Sequence, residues 1–166
     1  WRIMRYDRKT GETVELTQGF DQQADDLVIS PDSKTVYFSA GTRGRSPIYS
    51  VPVEPDFRLR IATHVKMVAQ GIYAGNLGIT ADGSTLVFTS SSMAAPAEVF
   101  SVPASGGEAK KLTAQNGSFG LATAEEMDWK GGDNAPVHGF FLKPANFDAS
   151  KKYPMIVLIH GGPQGA

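Results

Sequence analysis

The 166-residue chain contains no cysteine. That excludes disulfides, thiolate metal sites and a cysteine nucleophile, but it does not choose between a periplasmic or secreted compartment and the cytoplasm. A marked charge of either sign is also absent. Sixteen basic and 17 acidic residues leave a net charge of −1, so bulk electrostatics recruits neither nucleic acid nor an acidic membrane surface. No apolar run approaches the ~20 residues that a membrane-spanning helix needs. Helical 3.6-residue periodicity is hard to find over residues 1–115 of the chain. It begins at Trp1 with no charged-then-apolar leader and stops soon after a glycine pair, so both ends read as cut.

What is present, over residues 1–115, is short β-branched and aromatic runs between turn residues. In "LVISPDSKTVYFSAG" the pattern predicts a strand at 27–30, a turn at Pro31-Asp32-Ser33 and a returning strand at 35–39. Pro31 presets φ for the turn, and the Asp32 carboxylate can accept from its own backbone two residues on. A second copy, "LGITADGSTLVFTSS", places Asp82-Gly83 at the same point, a strong hairpin signal. The copies are co-registered. Asp32 and Asp82 stand 50 apart, as do Phe38 and Phe88; "IYSVPV" at 48–53 and "VFSVPA" at 99–104 are offset by 51, as are "RIATH" at 60–64 and "KLTAQ" at 111–115. A partial earlier copy, "IMRYDRKTGETVELTQG", sets Gly11-Glu12 where Gly107-Glu108 later sits.

A repeat of about 45–50 residues with four strands is the period of a propeller blade. Such a sheet must stack on a neighbour on each face. A β-sandwich with accidental self-similarity also fits short strands with frequent turns, but the co-registered matches favour the repeat. The expected fold is therefore mostly β: two to two and a half four-stranded blades of a partial propeller over residues 1–119, then the first strands of an α/β domain over 120–166.

After Asn116-Gly117-Ser118 the character changes. Residues 126–129 and 137–142 predict a hairpin around Gly131-Gly132-Asp133-Asn134, followed by a turn-rich loop at 144–148. The run "MIVLI" at 155–159 is apolar at every position, as in a strand covered on both faces, and it leads into His160-Gly161-Gly162-Pro163. Glycines there let the backbone turn sharply and leave amide N–H groups unshielded. A bare Gly-Gly is equally served by a tight turn that holds no ligand.

The stretch "GFFLKPANFD…KKYPMIVLIHGGP", preceded by four-stranded repeats, resembles the prolyl oligopeptidase family of serine peptidases, and within it the acylaminoacyl-peptidase and dipeptidyl-peptidase 5 branches. The resemblance covers essentially the whole chain. It implies a propeller joined to an α/β-hydrolase domain, an acyl-enzyme mechanism on short peptides admitted past the propeller, and no cofactor. It further implies that the backbone N–H of Gly162 is an oxyanion-hole donor, and that His160, where the dipeptidyl-peptidase IV branch has a tyrosine, supports that loop. In α/β hydrolases the nucleophile, the acid and the histidine all follow the oxyanion loop. The resemblance therefore implies that the triad is absent from this chain, which alone should not catalyse. Near misses to G-x-S-x-G, "NGSFG" at 116–120 and "GRSPI" at 44–48, each lack one glycine. The implied partners are a short peptide substrate and the remainder of the same protein, and a homo-oligomer is compatible.

Other residues read more plainly. His64, His138 and His160 share no metal-ligand spacing and read as surface or turn histidines. Asp25-Asp26 and Glu125-Glu126 are adjacent acids that point to opposite faces of a strand and read as solvated. Arg43 and Arg45 in "GTRGRS" read as decoration of an exposed hairpin tip, with a substrate carboxylate or a neighbouring subunit as the rival use. Trp129, Phe140, Phe141 and Tyr153 read as core of the second domain. A propeller-fused esterase and a non-catalytic binding propeller remain rival functions.

Overall fold

A computed structural model describes residues 1–56, 58, 63–70, 74–117, 122 and 124–159. The described residues form strands and turns, with one short 3₁₀ turn at Gly132–Asn134 and no α-helix. A first hairpin pairs β1 (Met4–Tyr6) with β2 (Thr13–Glu15). Next comes a four-stranded antiparallel meander of β3 (Ala24–Ile29), β4 (Thr35–Ala40), β5 (Ile48–Pro52) and β6 (Lys66–Ala69). A second meander comprises β7 (Ala74–Ile79), β8 (Thr85–Ser92), β9 (Ala95–Pro103) and β10 (Lys110–Lys111). A two-stranded ribbon of β11 (Ala124–Lys130) and β12 (Pro136–Leu142) follows.

The repeat is built from turn chemistry. In the β3–β4 turn Ser33 donates its N–H to the Ser30 carbonyl at 2.8 Å, and in the β7–β8 turn Gly83 does the same to Thr80 at 2.8 Å. Both donors hold positive φ, +58° at Ser33 and +73° at Gly83. Above each turn a hydroxyl and a carboxylate lock together: Ser30 Oγ donates to Asp32 at 2.6 Å and Thr80 Oγ1 to Asp82 at 2.6 Å. The backbone bond expected two residues on is present in both, from Lys34 N–H at 3.1 Å and Ser84 N–H at 3.0 Å. These bonds favour the ionised acid, so the Asp32 carboxyl lies below its ordinary range and that of Asp82 falls to about 2, the Thr80 hydroxyl contributing most to the latter.

Packing follows the period-two alternation of strands. Val36, Phe38 and Ala40 on β4 face one way and bury against Ile3, Leu16 and Phe20 of the first hairpin region, together with Tyr49 and Val51. Tyr37 points the other way and joins Ile48, Val68 and Ala69 against Leu86, Phe88 and Val102 of the second sheet. The first sheet is thus covered on both faces, and consecutive sheets stack face to face as the blades of a partial propeller do. Phe20 sits edge-on to Phe38 and Tyr49, with centroids 5.7 and 4.9 Å away, an arrangement favoured by ring quadrupoles.

One expectation needs correction. The fourth strand of the first sheet is β6 at Lys66–Ala69, not the "RIATH" stretch, whose residues 60–62 lie outside the described residues. Ladder partners decide the equivalence: Ser50 faces Lys66 as Ser101 faces Lys110, an offset of 44 rather than 51. The β5–β6 connection, residues 53–65, is longer than the β9–β10 connection, residues 104–109, which shifts the repeat out of step. The run at 155–159, read as a strand that needs covering on both faces, forms no ladder, and its side chains stand 65–91% exposed, since among the described residues no strand or helix lies against it.

Candidate functional site

Gly162 and His160, on which the resemblance rests an oxyanion role, lie outside the described residues. The approach to them is described as far as Ile159. Phe147 and Tyr153 bring their rings within 5.3 Å, and the Tyr153 hydroxyl accepts the Asp148 N–H at 3.0 Å. Asp148 in turn accepts from the Ser150 hydroxyl at 2.7 Å and the Ser150 N–H at 3.0 Å, which holds its carboxyl below the usual carboxylate range. The chain therefore reverses in a fixed turn before entering the apolar run.

The densest polar cluster joins the β4–β5 loop to the ribbon. Arg43 Nη2 donates to both carboxylate oxygens of Asp128, at 3.0 and 2.8 Å, and lies 3.0 Å from His138 Nδ1. His138 Nδ1 is also 3.1 Å from Asp128 Oδ1. Arg45 Nη2 donates to Glu126 Oε1, and Glu126 Oε2 lies 3.9 Å from His138 Nε2. The ribbon's register explains the convergence. Asp128 faces His138 across the ladder and Glu126 faces Phe140, so alternate residues of both strands share one face. Gly44, between the two arginines, has φ of +67°, and a Cβ there would stand 2.4 Å from the Phe140 ring. Only glycine lets that ring seat against the loop. Arginine hydrogen bonds, with that of His138 added at Asp128, hold the Glu126 and Asp128 carboxyls below their ordinary values.

A second anchor fixes the chain as it leaves the second sheet. Glu98, 5% exposed, accepts from the Thr113 hydroxyl, from the Asn116 N–H at 2.9 Å and from the Gln115 N–H at 3.2 Å, with Lys111 Nζ 3.6 Å away. These partners, the Thr113 hydroxyl foremost, lower its pKa to about 2.

Several readings of single residues change accordingly. Arg43 and Arg45 do sit at a hairpin tip, and each is ion-paired to the ribbon. Glu126 is held by Arg45 and Glu125 by Lys143 at 2.7 Å, while Asp26 accepts the Asn76 N–H at 2.7 Å, so none of the three is merely solvated. His138 lies within a strand, against the surface or turn position expected, while His64 does sit at a bend but is buried there. Of the four aromatic side chains read as core, Phe140 seats against Gly44 and Trp129 lies over Gly139 of the paired strand, but Trp129, Phe141 and Tyr153 stay 39–46% exposed. Among the described residues, no three His, Asp or Glu side chains gather as a metal site. Glu98 was missed altogether, because a lone glutamate within a strand gives no signal in sequence.

No protein-family model matches the chain. Curated relatives do. The probable dipeptidyl-peptidase 5 of Aspergillus clavatus is 28% identical over 158 residues, 93% of this chain and 22% of that protein. Dipeptidyl-peptidase 5 of Porphyromonas endodontalis is 33% identical over 136 residues, 78% of this chain and 18% of that protein. The uncharacterized peptidase YuxL of Bacillus subtilis is 24% identical across 95% of this chain and 26% of its own length. The chain thus spans about a fifth to a quarter of the curated relatives it matches. Among solved structures, the AtxE2 isopeptidase superposes with a TM-score of 0.65 at 14% identity, covering 87% of this chain and 22% of that one. A prolyl endopeptidase superposes with a TM-score of 0.54 at 13% identity, covering 84% of this chain and 20% of that one. These likenesses carry the fold, and the curated sequences carry the kinship. The sequence is similar to dipeptidyl-peptidase 5 and peptidase YuxL and the fold to the isopeptidase and the prolyl endopeptidase, consistent with a fragment of a prolyl oligopeptidase-family peptidase.

Proposed function

We propose that this chain is part of a serine peptidase that hydrolyses short peptides through an acyl-enzyme intermediate. The observation that carries the reading is the match to dipeptidyl-peptidase 5 along 93% of the chain, with stacked four-stranded sheets preceding the run that leads to His160-Gly161-Gly162. In this reading residues 1–119 are propeller blades and residues 120–166 open an α/β-hydrolase domain. The nucleophilic serine and its histidine and acid lie outside the chain. A histidine-activated serine attacks the peptide carbonyl, the amine leaves with the proton, and water then hydrolyses the ester. The Gly162 N–H donates to the oxygen as it becomes negative, a contribution of about 2.7–4 kcal/mol per donor in such sites. His160 supports the loop. The chemistry needs no cofactor.

The test uses the intact protein. It should hydrolyse a dipeptidyl or acyl-amino-acid anilide, and a serine-directed fluorophosphonate should label it and abolish that activity. Turnover of simple esters with no anilide hydrolysis would point to an esterase, and failure to label would remove serine catalysis.

A further inference from the structure

We propose that the β4–β5 loop, residues 41–46, is an ionic latch for the β11–β12 ribbon, closed at low ionic strength and released by salt. The seam between them has a particular make-up. Phe140 seats on Gly44 as an apolar element, and the two arginines on either side each engage a ribbon carboxylate. Contacts between the two meanders are of the opposite kind, with Phe88, Leu86 and Val102 fully buried against the first sheet. Screening therefore acts on one junction and spares the other.

The charges balance locally: Arg43 and Arg45 face Glu126 and Asp128, with His138 seated between the two carboxylates. Both guanidinium groups are committed to carboxylates, which argues against a substrate-anion site at this tip. Arg43 and Asp128 are more than half exposed, so ions reach them freely. Each exposed pair shifts an equilibrium by roughly 1.5- to 5-fold, enough for two pairs to govern docking without holding the fold together. The loop's geometry is itself fixed, since Thr42 and Arg45 exchange backbone hydrogen bonds at 2.8 and 3.0 Å. The ribbon leads directly into the 147–153 turn and the run at 155–159, so releasing it loosens the segment that leads on in sequence to Gly162. That last consequence rests on the peptidase reading; the latch does not.

The experiment is amide hydrogen exchange on the intact protein, comparing wild type, Arg43→Gln with Arg45→Gln, and the exchanged pair Arg45→Glu with Glu126→Arg. In the glutamine variant, exchange in β12 should rise roughly 2- to 20-fold at low salt, and wild type should rise similarly between about 0.05 and about 0.5 M NaCl. Exchange in β4 should stay constant, and the exchanged pair should restore most of the protection in β12. Unchanged β12 exchange in the glutamine variant or in high salt would overturn the latch, and so would an equal rise in β4. Peptide hydrolysis, measured in parallel, should change kcat/KM by a similar factor. Faster β12 exchange with unaltered kcat/KM would overturn the catalytic consequence. A wild type that hydrolyses no peptide would overturn the peptidase reading while the exchange result still decided the latch.

Discussion

The carboxylate of Asp26 in the first strand of one sheet accepts the backbone N–H of Asn76 in the first strand of the next, 2.7 Å away and 50 residues on in sequence. Both residues hold positive φ, +31° and +53°, and both sit where their ladders slip register. The bond therefore ties equivalent bulges of adjacent repeats. The Asn76 side chain donates to Thr89 Oγ1 on the neighbouring strand at 2.9 Å. Asp26→Ala should lower stability by about 1 kcal/mol, read as a shift in the urea midpoint of the intact protein, and Asp26→Asn should retain most of it. An alanine variant matching wild type would show that the bulges stack without this bond.

Phe88 is the test of face-to-face stacking. It is 1% exposed within the cluster that joins the two sheets. Phe88→Ala should cost about 3–5 kcal/mol, within the range for large-to-small core changes. Met127, half exposed on the ribbon, should tolerate alanine with a change below about 0.5 kcal/mol. Equal effects at the two sites would deny that the inter-sheet cluster is the core.

Gly44 and Gly11 separate backbone strain from crowding. Both have positive φ, but a Cβ at Gly11 meets nothing within 4 Å while one at Gly44 meets Phe140. Gly11→Ala should cost about 1–2 kcal/mol from the left-handed backbone alone. Gly44→Ala should cost more and also unseat Phe140, seen as faster proteolysis within the ribbon. Equal losses, with the ribbon equally resistant, would mean that Phe140 does not need the missing side chain.

Glu98 makes stability depend on pH. Its folded pKa, about 2, lies below the ordinary 4.5, so the unfolded state takes up the proton first. The contribution is complete above about 4.5 and is lost as pH falls toward about 2. Denaturant midpoints measured across that window should fall less steeply for Glu98→Gln than for wild type. Parallel curves would show that the Thr113 and Asn116 bonds do not favour the ionised form.

Much of this architecture is legible in the sequence because it is local. The Asp32 and Asp82 turns and the ribbon around Gly131-Gly132 follow from turn chemistry within a few residues. The position of β6 was misread because a longer 53–65 connection breaks the repeat, and pattern matching at a fixed offset cannot see an insertion. The alternation of Glu126 and Asp128 on one face was readable, but their partners lie 81 and 85 residues away on an exposed tip, where charge names no partner. The run at 155–159 carries the mark of a doubly covered strand, yet no described residue covers it. Of the proposed oxyanion loop, the sequence offers the residue types at 160–163 and nothing of their geometry.

The central claim is that the Gly162 amide donates to a developing oxyanion, and its most direct test removes that N–H alone. Incorporating glycolic acid at position 162 of the intact protein replaces the donor with an ester oxygen. The account predicts a fall in kcat of about 10²–10³ toward a dipeptidyl anilide, with KM and thermal stability little changed. A kcat within about threefold of wild type would contradict it, since a donor of this kind is expected to be worth far more.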